Sequence, residues 1–494
     1  MSSKIRLYLF IFCLLVFVIF TPLILLYANG YRFDRKEKTF IKTGSLFIDS
    51  YPQEAAVIIN GEQQKAAKWL NPFSFFWKLF GSAKYGGETP TIINNLLPGK
   101  YEIEVVKDGF QKWRKEIVIK PGLTTRFEKI QLFFEKPDLE IIDEGEITFF
   151  WLSNSRKKVI YGIKTDKERE IVKLFENNKI NVLINNQSLQ NFAPVVEQSS
   201  LQGFANPEWS PDEKKLIFSA QNSSTKTEGH FLLNLASNQL TDLDKILPFL
   251  KQEEIKIKFD KKDPNYLLIG LGGRLIQFDL SSLARKIIFE TKDELKDWLF
   301  NENYLEIIRQ EKDTFFLEKF SLLDPGLLIS SLKLPSEGFI FLENFSSTNL
   351  EFLSNSEILI FIASNSLSAT EEPMIFKFKG KKIIAGKNKL LYFNDYEIQV
   401  LRALENSKLI FPWQKDIVTR LSEYIDDVLL TDNWLYYLSQ NKIIALEIDL
   451  ENFKNQHLLF QAEKIKNFFS PSENLIYFDG IVNNQAGLYS IKIK

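Results

Sequence analysis

The side chains that most often catalyse reactions or bind metals are scarce in this chain of 494 residues. It contains one cysteine, Cys13, and two histidines, His230 and His457. Zinc and copper sites are built mainly from clustered His and Cys ligands, and a Ser-His-Asp triad needs a histidine beside its serine. His230 lies beside a strand-like apolar segment and His457 in a predicted polar turn, and we interpret both as structural residues. The sequence therefore predicts no metal site, no cofactor and no catalytic residue.

Other sequence patterns of catalytic or ligand-binding sites are missing as well. The chain has no G-x-S-x-G nucleophile elbow and no D-x-D-x-D-G calcium loop. The glycine cluster at 270–273 lies between two strand-like segments with no helix after it, so we expect a tight hairpin rather than a phosphate-binding loop. Asp and Glu are abundant, however, and a glycosidase needs only two suitably spaced carboxylates. A hydrolase acting on glycan or peptide is therefore the alternative to a binding protein.

The overall composition excludes some classes of partner. The 62 basic and 63 acidic residues leave a net charge of −1, which gives no electrostatic footprint for nucleic acid. Aromatic residues make up 14% of the chain, enough to build large buried cores rather than a disordered polymer. Because Cys13 is the only cysteine, no disulfide is expected within the chain, and its stability must come from packing.

A long apolar run at the N-terminus predicts a membrane anchor. The segment Leu7–Asn29 holds no charged residue and, as a helix, is about 34 Å long, enough to cross a hydrocarbon core of about 30 Å. A cleaved signal peptide is the alternative, but the run exceeds the usual signal core, and Leu26–Ala28 fits a cleavage site poorly. We therefore expect a short tail (1–6), a transmembrane signal-anchor helix (7–29) and a juxtamembrane linker (30–42).

The charges that flank this span do not fix its orientation. Lys4 and Arg6 precede it, whereas more basic residues follow it, namely Arg32, Arg35, Lys36, Lys38 and Lys42. Counted alone, the positive-inside rule favours a cytoplasmic C-terminus. The orientation must therefore be argued from the segments that follow.

Residues 43–134 are predicted to form a small antiparallel β-sandwich. Short runs with apolar residues at alternate positions are separated by turn residues such as Asn60-Gly61 and Pro98-Gly99. The strings GSLFIDSYPQEAAVIINGE and ETPTIINNLLPGKYEIEVVKDGFQKWRKEIVI resemble a PEGA domain over residues 44–132. The resemblance implies a cell-envelope binding or scaffold module without catalysis. It also implies structural turn residues at Pro52, Asn60, Gly61, Thr89, Pro90, Pro98, Gly99 and Gly109.

The sequence departs from the PEGA pattern at two places. Glu54 replaces a glycine in the Pro52–Ala55 tetrad, and residues 62–88 form an insert where the family has a short connection. The insert contains the aromatic string WLNPFSFFWKLF. Such residues partition into membrane headgroups, so lipid docking is one hypothesis; the alternatives are packing on a domain face and a protein partner. The candidate membrane-interface residues are Trp69, Phe73, Phe75, Phe76, Trp77 and Phe80.

Residues 135–494 are predicted to form a β-propeller of seven or eight blades. One unit, NPEWSPDEKKLIFSA, has degraded copies along the chain, and the residues before their turns are about 45 residues apart on average. The interval from 353 to 384 is short for a blade, which leaves the blade number open. The unit resembles the repeat of propellers related to the translocation protein TolB and of peptidase-associated propellers. Its turn residues are interpreted as structural: Trp209, Ser210, Pro211, Asp212, Ser470 and Pro471.

The predicted fold is all-β after the membrane helix, with a PEGA-like β-sandwich followed by a β-propeller. Both resemblances imply the extracytoplasmic face, and for that reason we set the charge count aside. We expect a single-pass cell-membrane protein whose C-terminal domains lie outside the cytoplasm and bind an envelope protein or polysaccharide. The ligand, the binding face and the oligomeric state are left open.

Overall fold

The chain folds as one N-terminal helix followed by antiparallel sheets in a computed structural model. The helix α1 spans Ser3–Ala28, and its segment Tyr8–Leu26 has a mean hydropathy of 3.1 and no buried residue. By length and composition it is a candidate for a membrane anchor or a signal sequence. The structure describes residues 3–34, 38–64, 87–164, 170–184, 201–222, 227–251, 255–300, 303–324, 326–341, 350–354, 358–363, 374–377, 380, 382–385, 389–403, 413–431, 434–448 and 455–494.

A short hairpin connects α1 to a β-sandwich. The hairpin consists of β1 (Tyr31–Asp34) and β2 (Thr39–Lys42). One sheet of the sandwich has three strands, in the spatial order β6 (Thr91–Leu96), β3 (Gly44–Tyr51) and β9 (Thr124–Gln131). The other has four strands, in the order β5 (Glu62–Gln63), β4 (Ala56–Ile59), β7 (Gly99–Val106) and β8 (Trp113–Ile119). The core between them contains Leu46, Ile48, Val57, Ile103, Val105, Trp113 and Ile117.

One strand pair of the sandwich is parallel. The chain crosses from β8 in the second sheet to β9 in the first, so that β9 lies beside β3 and runs in the same direction, from the pair Ser45↔Thr124 to the pair Tyr51↔Gln131. The expectation of a wholly antiparallel sandwich is therefore wrong for this pair. Alternation of apolar residues does not distinguish a hairpin from a crossover, because both bury one face of the strand.

Eight four-stranded antiparallel sheets follow within the described part of the chain, and we call them blades 1 to 8. Blades 1 and 2 contain β11 (Ile147–Leu152), β12 (Lys158–Lys164), β13 (Glu170–Glu176), β14 (Lys179–Ile184), β15 (Leu201–Trp209), β16 (Lys215–Asn222), β17 (Glu228–Asn234) and β18 (Gln239–Asp242). A short helix α2 (Leu243–Ile246) and a 3₁₀ helix (Pro248–Lys251) lead to the next blade. Blades 3 and 4 contain β19 (Ile255–Phe259), β20 (Tyr266–Leu271), β21 (Arg274–Asp279), β22 (Arg285–Glu290), β23 (Glu294–Phe300), β24 (Tyr304–Glu311), β25 (Thr314–Ser321) and β26 (Leu328–Lys333).

The second half of the propeller repeats this arrangement. Blades 5 and 6 contain β27 (Ile340–Phe341), β28 (Leu350–Ser354), β29 (Ile358–Ala363), β30 (Met374–Lys377), β31 (Lys382–Ala385), β32 (Lys389–Phe393), β33 (Glu397–Ala403) and β34 (Trp413–Arg420). Blade 7 contains β35 (Ile425–Leu430), β36 (Trp434–Ser439), β37 (Lys442–Glu447) and β38 (Gln456–Gln461). Blade 8 contains β39 (Lys464–Ser472), β40 (Leu475–Val482), β41 (Gln485–Lys492) and β10 (Asp138–Glu144). The chain is thus a β-propeller preceded by a sandwich.

The blades form a ring in which the first strand of each blade lies innermost. First strands of successive blades contact one another, as β15 contacts β19, β23 contacts β27 and β35 contacts β39. Apolar clusters join neighbouring blades, and one of them unites blade 1 with blade 8 through Tyr161, Phe175, Phe469, Tyr477 and Leu488. The first and last blades are therefore packed against each other, as a closed ring requires.

The ring is closed by a strand from its beginning. β10 lies between the sandwich and blade 1 in sequence, but it pairs with β41 as the outermost strand of blade 8, from Asp138↔Lys492 to Glu144↔Gly487. This pairing joins the two ends of the propeller by backbone hydrogen bonds. It removes the open edge that β41 would otherwise present.

Blade 5 explains the short interval in the sequence repeat. The turn expected after residue 353 follows β28, the second strand of this blade, whereas the first strand is the two-residue β27. Counting from Phe341 instead of residue 353 restores an even spacing. The structure therefore has eight blades within the residues that it describes.

We predict that the seam between blades 1 and 8 limits the stability of the ring. Leu488 is fully buried there, and Leu488→Ala should lower the free energy of unfolding by about 3 kcal/mol, because it leaves a cavity in a packed core. Leu323→Ala, at a leucine that is 83% exposed, is the matched control and should cost less than about 0.5 kcal/mol. Urea unfolding followed by tryptophan fluorescence would measure both. Equal losses in the two proteins would contradict closure through this seam.

Candidate functional site

The sandwich and the propeller meet at the last two blades. Phe133 follows β9 and is fully buried in the core of blades 7 and 8, with its ring edge-to-face against Trp434 at 4.8 Å. The backbone N–H of Phe134 donates to the Ile493 carbonyl at 3.1 Å, and that of Gln111 donates to the Phe133 carbonyl at 2.7 Å. The segment that connects the two domains therefore makes hydrogen bonds and packing contacts with both of them.

A partly buried carboxylate on blade 7, that of Glu447, holds the edge of the sandwich. Glu447 accepts hydrogen bonds from the indole N–H of Trp113 and the ammonium of Lys115, both at 3.4 Å, and from the Asn455 amide at 2.7 Å. Asn455 in turn accepts from the backbone N–H of Arg114 at 2.9 Å. Lys115 is only 2% exposed, so its charge depends on partners such as Glu447 for compensation.

A buried histidine lies beside this contact. The Nδ1 atom of His457 is 3.1 Å from Oε1 of Gln111, and Nε2 of Gln111 donates to the Leu458 carbonyl at 2.8 Å. The imidazole also lies against the rings of Phe133 and Trp434, at 5.5 and 5.6 Å. Burial lowers the pKa of His457 from 6.5 to about 4, so that the ring is neutral at pH 7 and Nδ1–H donates to Gln111.

Next to these contacts, a cleft of about 1100 Å³ opens between the sandwich and the propeller. Its lining combines aromatic rings with charges of both signs. The aromatic residues are Tyr51, Phe110, Phe134, Trp434 and Tyr436, the cations are Lys129, Lys492 and Lys494, and the carboxylates are Asp49 and Glu473. Residues from both domains line the cleft, so it exists only because the two are docked.

The charged groups of the cleft are only partly paired with one another. Lys494 pairs with Glu473 at 3.1 Å, and the Lys492 ammonium lies 5.9 Å from the centre of the Phe134 ring. Burial and then the charge of Glu473 raise the pKa of Tyr436, which therefore stays a hydroxyl. Oδ1 of Asp49 is buried and has no hydrogen-bond partner among the described residues.

This set of groups suits binding by stacking and hydrogen bonds. Phe110 and Phe134 stack on each other at 4.7 Å and form an aromatic wall of the cleft. Aromatic faces pack against sugar rings and apolar side chains, while carboxylate and ammonium groups select polar partners. Among the described residues, no group of His, Cys, Asp or Glu is arranged to hold a metal ion.

A second group of charges lies on the inner strands of the propeller. Asp297 on β23 is 1% exposed and contacts the ammonium groups of Lys258 at 2.6 Å and Lys256 at 3.0 Å, and it accepts from the Phe341 backbone N–H at 3.0 Å. Burial opposes ionisation of Asp297, but the two lysines and these hydrogen bonds outweigh it and lower its pKa. The carboxylate thus links blades 3, 4 and 5, and is poorly suited to donate a proton.

The predicted blade-turn residues lie at two corresponding turns. Ser210 follows the buried Trp209; its hydroxyl accepts from the Lys215 backbone N–H at 2.8 Å and donates to Asp212 at 2.7 Å, with Pro211 between them. In blade 8, the Ser470 hydroxyl donates to the Leu475 carbonyl at 2.7 Å, and Pro471 lies within β39. Both turns lie at the junction of a first and a second strand, and the turn of blade 8 continues into Glu473, which lines the cleft.

The predicted turn residues of the sandwich are spread over several connections. Thr89 and Pro90 precede β6, and Thr89 contacts the Ser50 hydroxyl at 2.5 Å and the Ala55 backbone N–H at 3.1 Å. Asn60-Gly61 connects β4 and β5, Pro98-Gly99 leads into β7, and Gly109 accepts from Glu135 at 2.9 Å. Of this set, Pro52 lines the cleft. Glu54 has φ 64°, a backbone conformation that favours the glycine it replaces.

Two other sets of sequence predictions have different outcomes. His230 lies 3.0 Å from Asp244, in an ordinary contact beside α2. The candidate membrane-interface residues Trp69, Phe73, Phe75, Phe76, Trp77 and Phe80 lie outside the described residues, so their role stays a prediction.

Sequence reasoning missed the junction between the domains, although one signal was present. Strand β8 alternates buried and exposed residues, and Lys115 occupies an inward position between Trp113 and Ile117. A lysine on an apolar face requires an acidic partner from another element. The partner, Glu447, is too far away in sequence to be identified by spacing.

We predict that acidification weakens the protein through His457. Because its pKa is about 4 in the folded state and 6.5 when solvated, stability is full above pH 6.5 and falls as the pH approaches 4, by about 3 kcal/mol in total. His457→Gln keeps a donor for Gln111 but removes the titration. The urea midpoints of the two proteins are measured from pH 7.5 to 4. Their difference at each pH isolates His457, because the titration of the carboxylates contributes equally to both proteins. Parallel curves would contradict a buried neutral histidine.

We also predict that Glu447 and Lys115 are strongly coupled. Glu447→Leu leaves the buried ammonium of Lys115 without this carboxylate and should cost about 4 kcal/mol, and adding Lys115→Met should recover most of that loss. The matched control is Glu116→Leu, which removes an exposed ion pair with Lys100 and should cost less than about 1 kcal/mol. Chemical unfolding of the wild type, Glu447→Leu, Lys115→Met and the double variant measures the coupling, with Glu116→Leu as the fifth protein. Additive losses would refute it.

Comparison with known proteins identifies one domain of the chain. Residues 81–132 match the PEGA domain family, and the same sandwich contains β3 and β4 from the preceding segment. No curated protein sequence matches the chain.

Solved structures with similar folds have low sequence identity to this chain. BamB from Moraxella catarrhalis is 6% identical, with a TM-score of 0.41, over 72% of this chain and 100% of that one. The Cps50 (Swd1) propeller domain from Myceliophteria thermophila is 10% identical, with a TM-score of 0.34, over 72% and 99%. A post-proline cleaving enzyme from Rickettsia typhi is 10% identical, with a TM-score of 0.41, over 66% and 56%. The chain carries a PEGA domain, and its eight blades within the described residues form a β-propeller.

Proposed function

We propose that this protein is a membrane-anchored binding or scaffold protein of the cell envelope, with its propeller outside the cytoplasm. The cleft between sandwich and propeller is the observation that carries the proposal. It is large enough for a peptide or a short glycan and combines aromatic faces with charged side chains of both signs. In this proposal the sandwich domain ends at residue 134, the propeller domain begins at residue 135, and α1 is an uncleaved membrane anchor.

The ligand chemistry follows from the groups in the cleft. The Phe110–Phe134 stack offers a flat apolar surface, and Asp49, Lys129 and Lys492 offer polar contacts of both signs. A polysaccharide or an extended segment of an envelope protein presents both kinds of group at once. We therefore propose one of these two as the ligand, with no cofactor and no nucleic acid.

A hydrolase is less well supported than a binding protein. A general acid needs a carboxyl whose pKa is raised near the scissile bond. Burial raises the pKa of Asp479, but this side chain is 2% exposed and accepts a hydrogen bond from the Asn467 backbone. Asp297 is held ionised by lysines. Neither carboxyl lines the cleft, so we propose a non-catalytic role.

The orientation and the occupancy of the cleft can be tested together by cysteine labelling. With Cys13→Ser as background, Gln53→Cys places a thiol in the lining of the cleft, and Gln239→Cys places one on the exposed edge of blade 2. A membrane-impermeant maleimide should label both in intact cells. The cleft thiol should react several-fold more slowly in cells than in purified protein, whereas the control reacts equally in both.

Each outcome of this labelling decides one part of the proposal. Labelling of both thiols only after lysis would overturn the extracytoplasmic orientation. Labelling of both at their purified rates in intact cells would overturn an occupied cleft. If cell-wall hydrolase treatment restores the rate at Gln53→Cys, the ligand is polysaccharide, and if protease treatment restores it, the ligand is protein.

A further inference from the structure

We propose that the hairpin β1–β2 is a second membrane contact, which seats an aromatic pair in the phospholipid headgroup layer beside the end of α1. The proposal rests on α1 spanning the membrane. It adds a contact that determines how the sandwich, and with it the cleft, is oriented on the bilayer.

The aromatic pair stands exposed on one face of the hairpin. Phe33 and Phe40 are directly opposite each other, with ring centres 5.4 Å apart in an edge-to-face arrangement. The two residues are 53% and 46% exposed. A two-stranded hairpin is marginally stable in water, and exposed rings on it gain free energy only when an apolar phase covers them.

The other face of the hairpin is turned to the sandwich. Arg32 donates to Oδ1 of Asn95 at 2.7 Å, and successive strand residues point to opposite faces. The side chain of Phe33 therefore points away from the contact that Arg32 makes. The backbone N–H and hydroxyl of Thr43 both donate to the Gly30 carbonyl, at 2.9 and 2.7 Å, which fixes the base of the hairpin to the helix end.

The position of the hairpin directly after the helix keeps it within reach of the headgroup layer. The backbone and side-chain N–H groups of Asn29 both donate to the Leu25 carbonyl and end α1, and Gly30, with φ 81°, leads directly into β1. Phe33 is five residues beyond Ala28 and therefore at most about 17 Å from the helix end, at the rise of a strand. The headgroup layer is roughly 5–8 Å thick on each side of the hydrocarbon core.

The charges around the pair are those that suit a phospholipid surface. Lys38 in the turn and Lys42 at the end of β2 are both exposed. Each basic group close to an anionic surface gains about 1 kcal/mol. Aromatic rings flanked by basic side chains are typical of protein segments at the membrane interface.

Depth-dependent quenching in vesicles tests the proposal on the full chain. The protein is reconstituted in phosphatidylethanolamine–phosphatidylglycerol vesicles and carries one bimane label. The label is placed on the natural Cys13, or, with Cys13→Ser, on Phe40→Cys or on Tyr396→Cys. Tyr396, on blade 6, is 51% exposed and serves as the matched control. Lipids with a nitroxide near the headgroup should quench position 40, those with a deep nitroxide should quench Cys13, and neither should quench position 396.

A second substitution shows whether the aromatic pair makes the contact. Phe33→Ser should lower the shallow quenching at position 40 roughly two-fold, because it removes the phenylalanine of the pair that remains in the protein labelled at position 40. Ile287→Ser, at an exposed isoleucine of blade 3, should leave it unchanged. Unfolding temperatures of the substituted proteins establish that the fold is kept.

The possible failures are distinguishable. Absence of quenching at Cys13 would overturn the membrane anchor, and the proposed function with it. Quenching at Cys13 without any excess at position 40 over position 396 would overturn the hairpin contact while leaving the anchor intact. Quenching at position 40 that Phe33→Ser does not reduce would also overturn it, because the contact would not involve the aromatic pair.

Discussion

The outer strand of blade 8 comes from the start of the propeller: β10 pairs along its length with β41. In a ring of blades, each neighbour supports the next, and the weakest point is the place where the two ends of the chain meet. Here that place is closed by backbone hydrogen bonds as well as by the apolar seam between blades 1 and 8. The residues just before β10 are thereby fixed on the last two blades, and the sandwich is fixed with them.

The docking of the sandwich follows from this closure. Phe133 and Phe134 lie between β9 and β10, so the strand that closes the ring also brings these rings to blades 7 and 8. Once Phe133 is buried there, the edge of β8 reaches Glu447, and the lysine at its inward position gains a carboxylate. A buried ion pair contributes little net stability but penalises every arrangement in which one partner stays alone. In this molecule the pair favours one orientation of the sandwich.

The repeating parts of this architecture are predictable from sequence, whereas the places where distant elements meet are not. The repeat in blades 2 and 8 is visible because the turn after a first strand needs Ser, Pro or Asp at fixed positions. Blade 5 departs from the regular spacing of the sequence repeat because its first strand has only two residues and shows no alternation. The pairing of β3 with β9 and that of β10 with β41 could not be predicted for a related reason. Strands pair with partners far away in sequence, and the alternation of apolar residues along a strand is the same for any partner.

The cleft could not be predicted, because its groups are supplied by segments far apart in sequence. Asp49 and Tyr51 come from the end of β3, Trp434 and Tyr436 from β36, and Lys492 from the end of β41. Each alone is an ordinary strand residue, and only the docking described above brings them together. The lysine at position 115 was the one local sign that the sandwich has a partner, since an inward charge on an apolar strand face needs an acid elsewhere.

The path from the N-terminal helix α1 to the cleft is a succession of direct contacts. The Gly30 carbonyl accepts hydrogen bonds from Thr43, and β3 runs from there to the cleft. Phe133, at the end of the sandwich, packs into the core of blades 7 and 8. A binding site held in this way loses little conformational freedom when a ligand arrives, so less of the interaction energy is consumed by ordering. It also keeps the site at one height and angle relative to α1. For an anchored scaffold this matters more than affinity, because the partner must be presented repeatedly in the same geometry.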